Sequence, residues 1–375
     1  MLKTKNIICI YYTLFFIFGV CDATTASTSD KLRIHIMDMG EADSIIIQSP
    51  CDEKGRDKIM VVDVGEDRGR SGIEAELVYS YIKKVLRKNV IDYVMLTNYN
   101  EEHIGWPREK RPTGVFYLLD KSNIQIKKVI DRGLKIDSNS PLDNKYREWI
   151  SKRRIPRETV RWSYSTGIGK GQIKLGRNIY IDIIAFNTIY DKKHNYMAIP
   201  EKNVQVKSNE NNFSIVFVLH YRRFEMYFGS DIPGYKNTNQ QLVNISERFI
   251  DRLKRVEVCK VSDHGSNKST RNDILQALMP KTSIISCGKG NENPHPQLLI
   301  RLLGYSDKKT GNPIGSDIYQ TSMGDGWKMT KPFETSGKTH TIVNGNITIE
   351  TDGKDEFSII YVEDGEEIKK NYSIH

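Results

Sequence analysis

The run Asp92-Tyr93-Val94-Met95-Leu96-Thr97 stops at a dense polar window, Asn98-Tyr99-Asn100-Glu101-Glu102-His103-Ile104, with Gly105 behind it. A short apolar run bounded in this way reads as a buried strand. The glycine frees the backbone for a sharp turn. Five polar side chains therefore sit at the carboxyl end of one strand, where open α/β sheets place their ligand sites. The pattern recurs: polar groups close apolar runs at positions 63, 98–103, 231, 263–264 and 291–295. One Asp after a strand is usually a turn former, and one His is usually a satisfied polar residue. Five such ends can gather Glu102, His103, Asp231, Asp263, His264 and His295 on a single rim.

The elements between these ends follow from periodicity. Leu32–Met39, Ser44–Gln48 and Lys58–Asp63 alternate as strands, and their short spacing requires antiparallel hairpins. Ser71–Lys88 has helical spacing through Ile73, Leu77, Tyr81 and Val85. Residues 107–175 are highly charged and poorly patterned, and read as a large excursion over the site. Strands are expected at Asn178–Ala185, Phe213–Leu219, Phe224–Phe228, Val256–Val261 and Thr282–Cys287. Helices are expected at Gln240–Arg255, Arg271–Met279 and Pro296–Leu303, the last with proline at its start. Thr341–Val362 is β-rich. The expected class is α/β.

Lys3 and Lys5 precede an apolar run of fourteen residues, Ile7–Val20, and small residues then lead to Ala23. This is the outline of a cleaved secretory signal peptide over residues 1–23, too short for a span of about 20 residues. No stable membrane anchor is expected, and the location is secreted or periplasmic. A polar leader follows over 24–30. Cys51, Cys259 and Cys287 then remain, too few for a disulfide framework, and the last two lie in apolar runs that suit a core. The charge of +9 is diffuse, with clusters at Lys83-Lys84, Lys152-Arg153-Arg154 and Arg252-Lys254-Arg255. It permits a polyanionic partner such as nucleic acid; a solvated lysine-rich surface explains it equally well.

The wording of the strand ends resembles the metallo-β-lactamase-fold domain of the ComEC DNA-uptake family. Asp38-Met39-Gly40-Glu41-Ala42-Asp43 and Asp63-Val64-Gly65 match its opening motifs. Thr97–Trp106 matches its histidine-aspartate loop. Asn212-Phe213-Ser214, Gly229-Ser230-Asp231, Asp263-His264-Gly265-Ser266, Ile285–Asn291 and His295-Pro296 match the later ones. The resemblance implies a four-layer αββα sandwich of the metallo-β-lactamase type over 31–353, with an insertion at about 107–175 and a C-terminal tail at 354–375.

For chemistry it implies a metal site between the sheets, where the metal activates water and polarises a phosphoryl or acyl oxygen. Asn98 and Asn100 stand at degenerate ligand positions, because a neutral amide oxygen binds a dication weakly. Glu102, His103, Asp231, Asp263 and His264 remain as donors for one ion, Zn²⁺ or Mn²⁺. Asp231 and His295 are the implied catalytic residues, His295 as a proton donor. Two functions follow. One is a secreted single-metal hydrolase of phosphate esters such as nucleic acid. The other is a catalytically inactive binding protein of the same fold. A third possibility for His103 and His264 is a structural one, hydrogen-bonded to Asp63 or Asp231.

Overall fold

The computed structural model describes residues 30–67, 73–108, 110–121, 123–133, 141–160, 173–187, 189–191, 196–198, 209–235, 244–289, 292–306, 311, 313–325 and 337–375. The expected signal peptide, most of the leader and Asn291 lie outside them. Among the described residues no helix is long and apolar enough to cross a membrane.

Two sheets organise the chain. The strands are β1 (Leu32–Ile36), β2 (Ile45–Gln48), β3 (Ile59–Val62), β4 (Tyr93–Leu96), β5 (Val129–Asp131), β6 (Arg157–Thr159), β7 (Ile179–Ala185), β8 (Val216–Tyr221), β9 (Phe224–Phe228), β10 (Val258–Lys260), β11 (Thr282–Ile285), β12 (Asp317–Gln320), β13 (His340–Ile342), β14 (Ile347–Thr351), β15 (Glu356–Glu363) and β16 (Glu366–Ser373). The first sheet runs β16-β15-β14-β1-β2-β3-β4-β5-β6 and the second β13-β12-β11-β10-β9-β8-β7. β1, β2 and β3 pair antiparallel, as their short connections require. β3 through β6 are parallel, as are β9 through β13. Parallel strands bring their carboxyl ends to one edge.

Alternation decides what each sheet buries. Ile34, Met60, Val62 and Met95 of the first sheet share one core with Ile181, Phe217, Met226 and Val258 of the second. Ile46, Val61, Val94 and Leu96 point the other way and pack on the helices α1 (Glu74–Ser80), α3 (Gly114–Leu119) and α4 (Pro141–Arg153). On the far face of the second sheet, Cys259, Ile285 and Ile318 pack with α5 (Asn272–Leu278) and α6 (Pro296–Leu303). A one-turn helix, α2 (Glu101–Ile104), follows β4. Cys51, Cys259 and Cys287 are free thiols, the last two buried.

Several expectations are corrected. Ile73, Leu77 and Val85 are 50%, 44% and 58% exposed; Ala75, Val78 and Ile82 are the buried stripe. Apolar residues lie on more than one face of the segment, so i, i+4 spacing alone does not choose which is buried, and the helix widens to a π turn at Tyr81–Val85. Within 107–175, β5 and β6 extend the first sheet and α3 and α4 cover it, so these described elements are part of the fold rather than a cover over the site. The tail at 354–375 is likewise sheet: β15 and β16 form a hairpin paired to β14. The helix expected over Gln240–Arg255 is, in its described part, two 3-10 turns at Ser246–Arg248 and Ile250–Arg252. Ile245, Phe249 and Leu253 are buried at helical spacing, but Phe249 at φ −122° breaks the helix.

One charged cluster lies on the second sheet away from the strand ends just described. His220 in β8 has Nδ1 3.0 Å from Glu225 and Nε2 3.3 Å from Asp182, and its ring stacks on Tyr180 at 4.4 Å. Burial opposes its charge, but Asp182 and Glu225 outweigh burial and raise its pKa to about 9.

Two outcomes are expected. Ile82→Ala should cost about 2–5 kcal/mol in urea denaturation, and Leu77→Ala less than about 0.5 kcal/mol; equal costs would reverse the assigned face. For His220 the folded pKa exceeds the ordinary value of 6.5. Its stabilisation is therefore complete below that value and lost as pH rises through about 9. The gap in melting temperature between wild type and His220→Gln should shrink across that window. A gap independent of pH would contradict this assignment.

Candidate functional site

The site is built where loops from both sheets leave the same edge. Asp63 follows β3, Ser230 follows β9, and Asp263 and His264 follow β10. All four are left-handed, with φ of 58°, 44°, 52° and 49°. Non-glycine residues adopt this conformation at a cost of order 1–3 kcal/mol each, and such strain clusters at functional sites. Glycine serves where contact is closest. A Cβ on Gly65 would lie 1.8 Å from the Glu102 carbonyl oxygen, and Gly105 takes φ 70° to end α2.

His103 is fully buried and bonded through both nitrogens: Nδ1 lies 2.8 Å from Asp63 Oδ2, and Nε2 lies 2.8 Å from Asp231 Oδ2. Asp63 acts only as an acceptor, taking the Thr97 amide at 2.7 Å and the Thr97 hydroxyl at 2.6 Å. Ser230 Oγ donates onward to Thr97 Oγ1 at 2.7 Å. Burial opposes a charge on His103, but the carboxylates of Asp231 and Asp63 overcome it and hold the pKa well above the imidazole range. Burial likewise opposes ionisation of Asp231, and His103 and His264 hold its pKa below the ordinary value.

Asp43 enters from the loop between β1 and β2. Its amide donates to Glu102 O at 2.9 Å and its carbonyl accepts from Gly65 N at 3.0 Å. Its carboxylate pairs with Lys260, Oδ1 to Nζ 2.9 Å. Burial raises its pKa, but Lys260, His264 and His103 more than reverse that. His264 donates from Nδ1 to Ser286 O at 3.1 Å, which aims Nε2 inward. Burial disfavours its charge, whereas Asp43, Asp231 and Glu41 favour it, and the net shift is upward. The same negative field favours any cation at that nitrogen.

Asp43, His103, Asp231 and His264 each offer one ligand atom, all within 4.8 Å of one another, and the four residues are buried. This cluster could hold a metal ion. Two of its atoms make the case. Asp231 Oδ1 and His264 Nε2 are buried without a hydrogen-bond partner among the described residues, and they lie 3.7 Å apart. An unsatisfied buried polar atom costs about 1–3 kcal/mol, so such atoms are rare.

ComE operon protein 3 of Bacillus subtilis (strain 168) is 23% identical to the chain over 356 residues, covering 91% of this chain and 39% of that protein. The likeness is ComEC-like. The chain spans about two-fifths of that relative's length. No family model matches the chain.

Of the residues picked from sequence, the structure gathers His103, Asp231 and His264, and it adds Asp43. Glu102 and Asp263 are not among the four. Glu102 contributes its carbonyl to Asp43, and its side chain lines an adjoining cleft of about 690 Å³. Asp263 is 3.4 Å from Asn211 Nδ2; burial and then Asp231 push its pKa to about 7. Asn98 is buried, its Oδ1 taken by the Asn100 amide at 2.9 Å, and Asn100 Nδ2 donates to Asn211 at 2.7 Å. Asn98 is thus bonded within its own loop through Oδ1, and Asn100 ties the loop to the turn at Glu210–Phe213. His295 caps α6, its Nδ1 accepting from Gln297 N at 3.1 Å, and its ring lines the cleft. The cleft also carries Glu41, Glu66, Asp67 and Glu292, against Lys268 and Lys289. Asp43 and Lys260 were missed. A lysine inside the apolar run Val258-Cys259-Lys260-Val261 was the available signal, because a charge there must have a partner.

In protein stripped of metal, His103→Gln should destabilise by about 3–5 kcal/mol in urea denaturation, since it leaves two buried carboxylates without their shared cation. A loss under about 1 kcal/mol would mean that the ring is not a charged bridge.

Proposed function

We propose that the chain is a hydrolase of phosphate esters, with nucleic acid as the substrate class, built on a four-layer αββα sandwich of the metallo-β-lactamase type. The layer reading is supported by one apolar core between the sheets and separate helix-covered cores outside them. We also propose that it is exported by its N-terminal leader; the lysines and apolar run at residues 3–20 support that reading.

The observation that carries the hydrolase reading is the pair of unsatisfied buried atoms, Asp231 Oδ1 and His264 Nε2, 3.7 Å apart. Two carboxylates and two imidazoles form a mixed donor set suited to Zn²⁺ or Mn²⁺. Asp43, Asp231 and His264, with His103 once its Nε2 is freed of its proton, would hold one ion. Such an ion lowers the pKa of a bound water and polarises a phosphoryl oxygen. The chain's own residues do the rest. Asp63 fixes the His103 ring through Nδ1, as partners of metal-binding histidines do. His295, with Nδ1 already accepting a hydrogen bond, presents Nε2–H on the cleft wall as a donor to a leaving oxygen. Lys268 and Lys289 offer positive charge to a phosphate in an otherwise acidic cleft.

A metal-free binding protein is the second reading. It is favoured by Lys260 and the doubly bonded His103, which already supply cations to the buried carboxylates.

Metal analysis of purified protein should find close to one Zn²⁺ or Mn²⁺ per chain. Removal by a chelator should lower the melting temperature, because an ion at about 100 times its dissociation constant adds roughly 2.7 kcal/mol. Hydrolysis of a chromogenic phosphodiester should fall at least about 100-fold in His264→Ala. Protein free of metal, indifferent to chelator and inert on the diester would leave the binding-protein reading.

A further inference from the structure

We propose that Lys260 is a built-in cation of this centre, one that competes with the exchangeable metal ion for Asp43 and limits the site to a single ion. The inference rests on the single-ion reading above and adds a residue to it.

Strand alternation places the side chain. Val258 of β10 points into the core between the sheets and Cys259 points to the helices beyond, so Lys260 points between the sheets again. It does so at the end of the strand, where the site lies, and it is only 2% exposed. An ammonium has three donors. Here it reaches Asp43 Oδ1 at 2.9 Å, Asp43 Oδ2 at 3.2 Å and the Val261 carbonyl at 3.4 Å. It is a compact point charge held against one of the four candidate ligands.

The charges then count simply. Asp43, Asp63 and Asp231 bring three negative charges. Lys260 brings one positive charge, and His103, as a ligand through Nε2, is neutral. Two negative charges remain, which one exchangeable dication balances. A second dication would leave the buried centre strongly positive, which a low-dielectric site resists. Any ion that takes a lone pair from Asp43 must also share that carboxylate with the ammonium.

Zinc titration calorimetry and thermal denaturation, with and without chelator, test this on the full chain. Lys260→Met is expected to bind Zn²⁺ at least about 10-fold more tightly than wild type. Its melting temperature should fall in chelator and recover with Zn²⁺, the external ion replacing the lost ammonium. The double variant Lys260→Met with Asp43→Asn loses both charges, and should fold in chelator without the gain in affinity. If wild type takes up one ion and Lys260→Met binds it no more tightly, the role of Lys260 is overturned and the single-ion reading stands. If wild type takes up none and Lys260→Met takes up one, Lys260 is confirmed as the resident cation and the single-ion reading of the wild type fails. If Zn²⁺ does not restore Lys260→Met while the double variant folds, the ammonium is not replaceable by a metal and the proposal is overturned.

Discussion

Two aspartates from different sheets share one imidazole, and the rest of the site is arranged around that bridge. Asp63 ends a strand of the first sheet and Asp231 follows a strand of the second; His103 is bonded to both at 2.8 Å. A second charged link, Lys260 to Asp43, crosses between the same sheets in the opposite sense, with the cation on the second sheet. A backbone bond from Ile215 N to Thr97 O, 2.8 Å, joins them as well. Buried ion pairs of this kind add little net stability relative to apolar packing, but they are costly to break. They define how the two sheet edges meet, and the meeting point is the candidate site.

The loop that carries His103 is held from behind. Glu210 accepts from the Tyr99 amide at 2.9 Å and from Arg132 at 2.8 and 2.9 Å, and Arg132 lies over the Tyr99 ring at 4.2 Å. Arg132 follows β5, whose Asp131 is fixed by Arg157 at 2.6 Å and Tyr146 at 2.7 Å. The charged stretch between 107 and 175 thus contributes a rigid support. A site whose ligands must be placed to within fractions of an ångström needs such backing.

Much of this was legible in the sequence because strand ends are punctuated by chemistry. Asp63, Asp231 and His264 each interrupt an apolar run, and short spacing forces the first three strands to pair as hairpins. What stayed hidden has specific causes. Asp43 sits in Gly40-Glu41-Ala42-Asp43, where a turn explains an aspartate without any site. Glu102 stood at a matching motif position, yet its carbonyl, not its carboxylate, is what meets Asp43. The spacing of Ile73, Leu77, Tyr81 and Val85 signals a helix at α1 but not which face is buried, because apolar residues lie on more than one of its faces. Pairings between residues hundreds of positions apart, such as Lys260 with Asp43, leave no periodic trace in one chain.

The central claim is that the unsatisfied atoms of Asp231 and His264 mark the place of one metal ion. Anomalous diffraction from crystals grown with Zn²⁺ tests it most directly. The account predicts a single peak at ligand distance, about 2.0–2.2 Å, from Asp231 Oδ1 and His264 Nε2. A peak beside Asn98 and Asn100 instead, or none within the buried cluster, would contradict it.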